Sequence, residues 1–366
     1  MNQWPDRRLL NLFGIELPII QAPMAGPGTP ELAMAVSDAG GLGSLPCAQL
    51  SLEQTRAALG RIGPASRPLN LNFFSHTPPA ADAVRSLNWR ARLAPYYIEL
   101  GLDPETALPV AGRRPFDEDF CRLVEEYRPT VVSFHFGLPQ RELVERVKAA
   151  GAKVISSATT VAEARWLEGH GCDAIIAMGF EAGGHRGSFL AEDMSRQVGT
   201  FALVPQVVDA VTVPVIAAGG IADARGIVAA LALGAAAVQI GTAYLFCPEV
   251  NLPRVYFEAL NSAGDDDTMI TNVFTGRPAR GIVNRVMREQ GPLSSAAPPF
   301  PLAAAALAPL KAKSEASGSG DFTNLWSGQA VRLARRSLPA GQLTRLLGRE
   351  AQEKIAQLSA QASPSV

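Results

Sequence analysis

Short, nearly continuous apolar runs recur along the chain as far as Tyr244, and between them apolar positions return at intervals of three and four. The runs are Ile15–Ala25, Leu42–Leu45, Leu69–Phe74, Thr130–Gly137, Lys153–Thr159, Ala174–Met178, Val215–Ile221 and Ala236–Tyr244. Runs this short and rich in β-branched residues predict strands covered on both faces, and the intervening periodicity predicts amphipathic helices. Start signals mark several of those helices. Thr29-Pro30-Glu31 supplies a cap, a proline at the first helical position and an acidic first turn, while Ser51–Gln54 and Thr160–Glu163 have capping-box spacing. About eight strand–helix units in succession predict an α/β fold of the TIM (β/α)8 barrel type. An open doubly wound sheet is the competing arrangement, but the first strand lacks the GxGxxG turn.

The rhythm breaks twice. Residues 75–128 carry prolines, Tyr96-Tyr97 and an amphipathic helix near Asp117–Tyr127, which reads as an insertion, lid-like, over the end of the third strand. Beyond the last run, Asp265–Asp267 and Thr275–Arg280 read as exposed connections, and 292–309 is rich in proline and alanine. Two further helices are expected over Asn324–Arg336 and Ala340–Leu358. The chain therefore divides into a barrel over 1–264 and a C-terminal extension over 265–366 that packs on it through a flexible Pro/Ala/Ser/Gly-rich stretch.

Composition narrows the function classes. With 47% hydrophobic residues in 366 the chain can bury a large core, and a net charge of -1 gives no electrostatic reason to expect nucleic acid or an anionic membrane as partner. The N-terminus lacks the charge-then-apolar order of a secretory signal, and no apolar run reaches the ~20 residues of a membrane span, so a cytoplasmic protein is expected. Cys47, Cys121, Cys172 and Cys247 are scattered without metal-ligand or disulfide spacing, so no metal is expected.

In a barrel of this type ligands lie at the C-terminal ends of the strands. Position alone then selects Met24, Asn72, His135, Ser157, Met178, Gly219, Gly220, Gly241 and Thr242. Three runs empty into glycine-rich loops, at 179–187, 219–220 and 241, where backbone amides can cradle a phosphate. The plainer reading of each is a tight turn, and the last two together favour binding. His135 is expected on one strand face with Ser133, where it is either bonded to backbone or employed as an acid or base near neutral pH. His185 orders its loop or faces a phosphate, Arg186 reads as a surface charge, and His76 and His170 read as incidental, His170 facing solvent.

QAPM (Gln21–Met24), NFF (Asn72–Phe74), SFHFG (Ser133–Gly137), GFEAGGHRG (Gly179–Gly187), AAGGI (Ala217–Ile221) and QIGTAY (Gln239–Tyr244) in this order resemble the nitronate monooxygenases. The likeness continues into FTGRPARG and LWSGQA, and SFHFG and NFF look most like the nitronate-oxidising branch. The resemblance implies an FMN-binding barrel without a metal, acting on a small-molecule substrate and O2. By resemblance Met24 and Asn72 contact the flavin ring, and Gly183, Gly184, Gly219, Gly220, Gly241 and Thr242 line the phosphate end. Ala22, Pro23, Ser157, Met178 and Gly179 complete the cofactor set, and a homodimer is compatible with the family. His135 matches the catalytic histidine, which removes the α-proton of a nitroalkane or engages a nitronate on the way to a carbonyl compound and nitrite. The chain departs from the family at Met178, where glutamine is usual, and over Phe300–Lys313, where tyrosines and a lysine are usual and Lys311 or Lys313 is the available substitute. The alternatives are an NAD(P)H-dependent flavin reductase of quinones or enoyl thioesters on the same scaffold, a flavin-binding protein without turnover, and a flavin-free sugar-phosphate barrel.

Overall fold

The computed structural model describes residues 4–63, 67–80, 82–109, 113–191 and 193–362. Its strands are β1 (Ile19–Gln21), β2 (Gly43–Pro46), β3 (Leu69–Phe74), β4 (Val131–His135), β5 (Lys153–Ala158), β6 (Ala174–Met178), β7 (Gly184–His185), β8 (Val215–Ala218), β9 (Ala237–Ile240), β10 (Thr268–Thr271) and β11 (Ala279–Ile282). Eight of them form one parallel sheet in the order β1-β9-β8-β6-β5-β4-β3-β2. A parallel bridge between Ile20 and Leu42 brings its two ends together, with Gln21 N–H donating to Leu42 O at 3.0 Å and Leu42 N–H donating to Ile19 O at 3.0 Å. The TIM barrel expected from the strand–helix count is the fold.

The helices are α1 (Arg8–Phe13), α2 (Pro30–Asp38), α3 (Leu52–Ile62), α4 (Ala83–Glu99), α5 (Glu118–Tyr127), α6 (Arg141–Ala149) and α7 (Val161–Gly169). They continue with α8 (Thr200–Val208), α9 (Ala224–Ala232), α10 (Arg254–Ser262), α11 (Arg285–Gln290), α12 (Ala303–Ala316) and α13 (Ala340–Ala362). The predicted caps form at α2, where Thr29 Oγ1 accepts from Leu32 N, and at α3, where Ser51 and Gln54 bond reciprocally. At α7 only half of the capping box forms. Thr160 accepts from Glu163 N, but the fully buried Glu163 carboxylate accepts instead from the amides of Thr159, Phe189 and Leu190 and the Thr159 hydroxyl. A buried carboxylate needs several donors, and four of them outweigh one cap amide.

Helix α5 packs between α3 and α6 in the outer ring, and α13 packs on α9 and α2, in the place of an eighth ring helix. The long excursion between β9 and α13 is thus held inside the barrel's own circuit. Part of it meets the insertion after β3. Trp89, Leu93, Tyr96 and Tyr97 of α4 form a second apolar cluster with Val273, Phe274, Leu307 and Phe322. Trp89 Nε1–H donates to Ala303 O at 3.2 Å, and Tyr97 O–H to Ala306 O at 2.6 Å.

Two expectations are corrected here. Asn324–Arg336 is not a helix: Trp326 pairs with Gly281 as an antiparallel bridge, and only Val331–Leu333 makes a 3-10 turn. The chain must pass close to the glycine loop, and a Cβ on Gly328 would lie 2.9 Å from Glu181 O. Thr275–Arg280 is not an exposed connection either, since Thr275 and Arg280 are buried and 279–282 is strand β11. Between β10 and β7, β11 stitches the extension to the glycine loop, with Ala279 opposite His185 and Arg280 opposite Gly184. The alanine-rich stretch beyond Phe300 holds α12, in which Ala303, Ala306, Leu307 and Leu310 are buried. No helix among the described residues is long and apolar enough to cross a membrane.

Candidate active site

The C-terminal ends of the barrel strands open into a cleft of about 1290 Å³ of non-protein space, counted out to its opening. Ala22, Pro23 and Met24 line it after β1, Asn72 on β3, His135 on β4, Ser157 on β5 and Met178 on β6. Gly183 and Gly184, Gly219 and Gly220, and Gly241 with Thr242 complete this wall. Of the expected cofactor residues only Gly179 stands outside the lining. A Cβ there would lie 1.9 Å from Thr200 Oγ1, so Gly179 serves the packing of β6 against α8.

One end of the cleft is a cradle of close backbone. Gly219 and Gly220 sit at φ +113 and +71, and Gly184 at +72, where side chains are strained. A Cβ on Gly183 would lie 2.5 Å from Gly328 N, and Gly328 N–H donates to Thr242 Oγ1 at 3.0 Å. Glu181 holds the loop by accepting from the amide and hydroxyl of Thr200 at 2.8 and 2.7 Å. The sequence reading did not assign Gln239, Trp326, Ser327 and Gly328, which also line the cleft. Gln239 Oε1 is buried without a hydrogen-bond partner among the described residues. Its signal was a polar residue inside an otherwise apolar strand, and LWSGQA had already stood out as a motif.

Arg186 is fully buried, not a surface charge. Its guanidinium donates to Gly179 O at 2.6 Å, to Met178 O at 2.9 Å and to Gln197 Oε1 at 2.9 Å, fastening the loop to the end of β6. The planar fork matches three acceptors at once, which is why the loop's cation turns inward.

His135 is partly buried on the cleft wall. Its Nε2 lies 3.0 Å from His185 O and its Nδ1 lies 3.1 Å from Ser157 Oγ. A carbonyl only accepts, so Nε2 carries the proton and Nδ1 accepts from the serine hydroxyl. Burial pushes this imidazole down to about 4, the bond to His185 O opposes the shift, and the charges of Arg277 and Arg186 add to it. The ring is therefore neutral at pH 7. Nearby, Asn72 Nδ2–H donates to Ser133 Oγ at 2.9 Å, so the expected inward face of β3 and β4 is formed.

The residue after His135 leaves the strand. Phe136 adopts φ +73 and turns its ring to Phe74 at 4.9 Å and Phe300 at 5.4 Å, with the Arg277 guanidinium 4.0 Å above it. His185 orders its loop: Nε2 meets Thr275 Oγ1 at 2.9 Å and the ring packs on Phe300 and Trp326. His76 is not incidental, being buried with its ring 4.8 Å from Phe300. Burial, then Arg277 and Arg113, bring it down to about 4. His170 is exposed, as expected, and stacks on Trp166. Neither Lys311 nor Lys313 reaches the cleft lining, and Lys311 donates to Asn324 Oδ1 at 2.9 Å.

Comparison with known proteins agrees with this geometry. The family model described as nitronate monooxygenase matches residues 6–350. A nitronate monooxygenase of Pseudomonas aeruginosa (strain PAO1) is 42% identical over 350 residues, covering 94% of this chain and 98% of its own. One from Paraburkholderia phytofirmans is 41% identical over 360 residues, covering 98% of each. A solved nitroalkane oxidase from Streptomyces ansochromogenes superposes with a TM-score of 0.87 at 38% identity, covering 96% of this chain and 99% of its own. With a family match over almost the whole length and relatives above 40% identity, the chain belongs to the nitronate monooxygenase family and is an oxidoreductase.

Proposed function

We propose that this chain is an FMN-dependent enzyme that oxidises alkyl nitronates, and the nitroalkanes that yield them, with O2 to a carbonyl compound and nitrite. The residues present fit a flavin mononucleotide. The crowded glycines at 183, 219 and 220 leave bare backbone where a phosphate needs it, and Thr242 Oγ1 keeps its own proton to donate while accepting from Gly328 N–H. Met24, Ile176 and Met178 offer apolar surface to a flat ring, and the orphaned Gln239 Oε1 is an acceptor for a ligand hydroxyl or ring N–H. Bound there, FMN supplies the electron acceptor and the site of oxygen reduction.

The chain's own contribution centres on His135, and its place on the cleft wall, with Nε2 bonded to His185 O and Nδ1 left to accept, is the observation that carries the reading. A neutral ring beside a nitroalkane accepts a proton, and the resulting imidazolium stabilises the anionic nitronate. Asn72 and Ser133 give the same wall a polar patch for a nitro group, while Phe74 keeps its edge apolar and limits water.

The test is an absorbance spectrum of the purified protein followed by oxygen uptake with propionate 3-nitronate. Bound flavin and nitrite release are expected, and His135→Ala should lower turnover of a neutral nitroalkane by about 10²–10⁴-fold. Unchanged turnover in that variant defeats the role of His135. Rapid anaerobic bleaching by NADH, without nitronate-dependent oxygen uptake, transfers the protein to the reductase reading.

A further inference from the structure

The nitrogen of His135 that has a lone pair does not face open space. Nε2 is committed as a donor to His185 O, so Nδ1 is the ring's only basic atom, and it lies 3.1 Å from Ser157 Oγ. The glycine loop closes the same edge of the ring. A Cβ on Gly187 would lie 3.1 Å from His135 Cε1, 3.4 Å from Nδ1 and 2.8 Å from Ser157 Cβ. The Nδ1 lone pair is thus flanked by the glycine loop and already directed at the Ser157 hydroxyl. Ser157 itself lines the cleft, and among the described residues its hydroxyl makes no hydrogen bond other than the one to His135. Its two lone pairs take up no hydrogen bond among the described residues.

We infer that Ser157 is the group that meets the substrate's α-proton, relaying it to His135. This rests on the nitroalkane reading above. In the step, the C–H bond breaks and a new O–H bond forms at Ser157 Oγ, while the original Oγ–H bond breaks and N–H forms at His135 Nδ1. The electron pair of the C–H bond stays with the substrate and spreads into the nitro group, giving a nitronate and an imidazolium. No oxidant takes part in this transfer. The serine ends as it began, a neutral hydroxyl, and the imidazolium keeps its Nε2–H on His185 O. A nitronate supplied ready-made has no α-proton to give up in this way and does not need the relay.

The experiment compares kcat/KM for nitroethane with kcat/KM for ethyl nitronate in the flavin-loaded wild type, Ser157→Ala and Ser157→Thr. FMN affinity of each is measured separately by fluorescence titration. The ratio of nitroethane to nitronate efficiency is expected to fall at least about 30-fold in Ser157→Ala and to return within about 3-fold of wild type in Ser157→Thr, which keeps the hydroxyl. The primary isotope effect on 1,1-dideuteronitroethane should reach its full value in Ser157→Ala. The 15N resonance of His135 Nδ1 should move toward that of a free imine nitrogen, a readout independent of turnover. An unchanged ratio in Ser157→Ala shows that His135 takes the proton directly and overturns the relay while leaving the nitronate reading intact. Equal loss on both substrates, unrescued by threonine, makes Ser157 a wall residue and likewise overturns the relay. A wild type that oxidises neither substrate removes the parent reading, and the relay with it.

Discussion

His135 owes its chemistry to two opposed demands, burial enough to stay neutral and a place on the cleft wall. With its pKa down at about 4, the base is deprotonated over the whole neutral range. Catalytic efficiency with a nitroalkane should therefore rise with pH through about 4 and stay flat through ~6.5, where an unshifted imidazole would break. A pH profile of kcat/KM checks this. The same shifts link to stability. His76 and His135 stand at about 4 and His185 well below its ordinary value, so the unfolded chain binds protons near pH 6 that the folded chain refuses. Stability is thus complete above ~6.5 and declines as pH falls toward 4, each histidine contributing up to about 1.4 kcal/mol per pH unit. Urea midpoints at pH 7.5 and 5 should show the decline. Arg186 carries a further prediction: Arg186→Met strands three carbonyl acceptors and should cost about 2–4 kcal/mol in chemical denaturation. Its burial was not legible in the sequence, because a lone arginine among glycines looks the same whether it faces water or its own backbone.

The glycine loop shows how an element is specified in part by what lies far from it in the chain. The turn glycines after β6, β8 and β9 were legible because a buried run ending in glycine leaves few alternatives. Which of them line the cleft was not, since Gly179 packs against Thr200 outside it while Gly183, packed against Ser327 and Gly328, lines it. Gly183→Ala sets a Cβ against backbone, not against a movable side chain. It should weaken FMN binding at least about 10-fold in a fluorescence titration while the far-UV CD spectrum stays that of the barrel. Phe136 shows the converse. Strand alternation alone would set it on the face opposite His135, yet its backbone turns to φ +73 as the aromatic cluster of Phe74 and Phe300 takes up its ring. Strand periodicity carries no information about where a strand stops.

The barrel closes at the level of the molecule through its last helix. Leu343, Leu347 and Ala351 of α13 are fully buried in the main core, and the Tyr244 and Thr344 hydroxyls meet at 2.8 Å. Leu347→Ala should lower the unfolding free energy by about 2–5 kcal/mol in a denaturant titration, as for any core leucine truncated in a closed site. If α13 were an accessory helix, the loss would be within about 0.5 kcal/mol. The extension between β9 and α13 meanwhile reaches back across the mouth, pairing β11 with β7 and delivering Trp326, Ser327 and Gly328 to the cleft.

By itself the sequence determined the repeating strand–helix unit, the parallel barrel, and the placing of Met24, Asn72, His135, Ser157 and the paired glycines at strand ends. Local periodicity, capping and turn chemistry are properties of neighbours in the chain, and a barrel converts them directly into position. Only the tertiary structure decided the tautomer of His135, the inward turn of Arg186, the extended path of Trp326–Gly328 and the ring place of α13. The tautomer, the path of Trp326–Gly328 and the place of α13 depend on partners tens or hundreds of residues away, and Arg186, whose acceptors lie within eleven residues, reaches them only once its loop folds back on the end of β6.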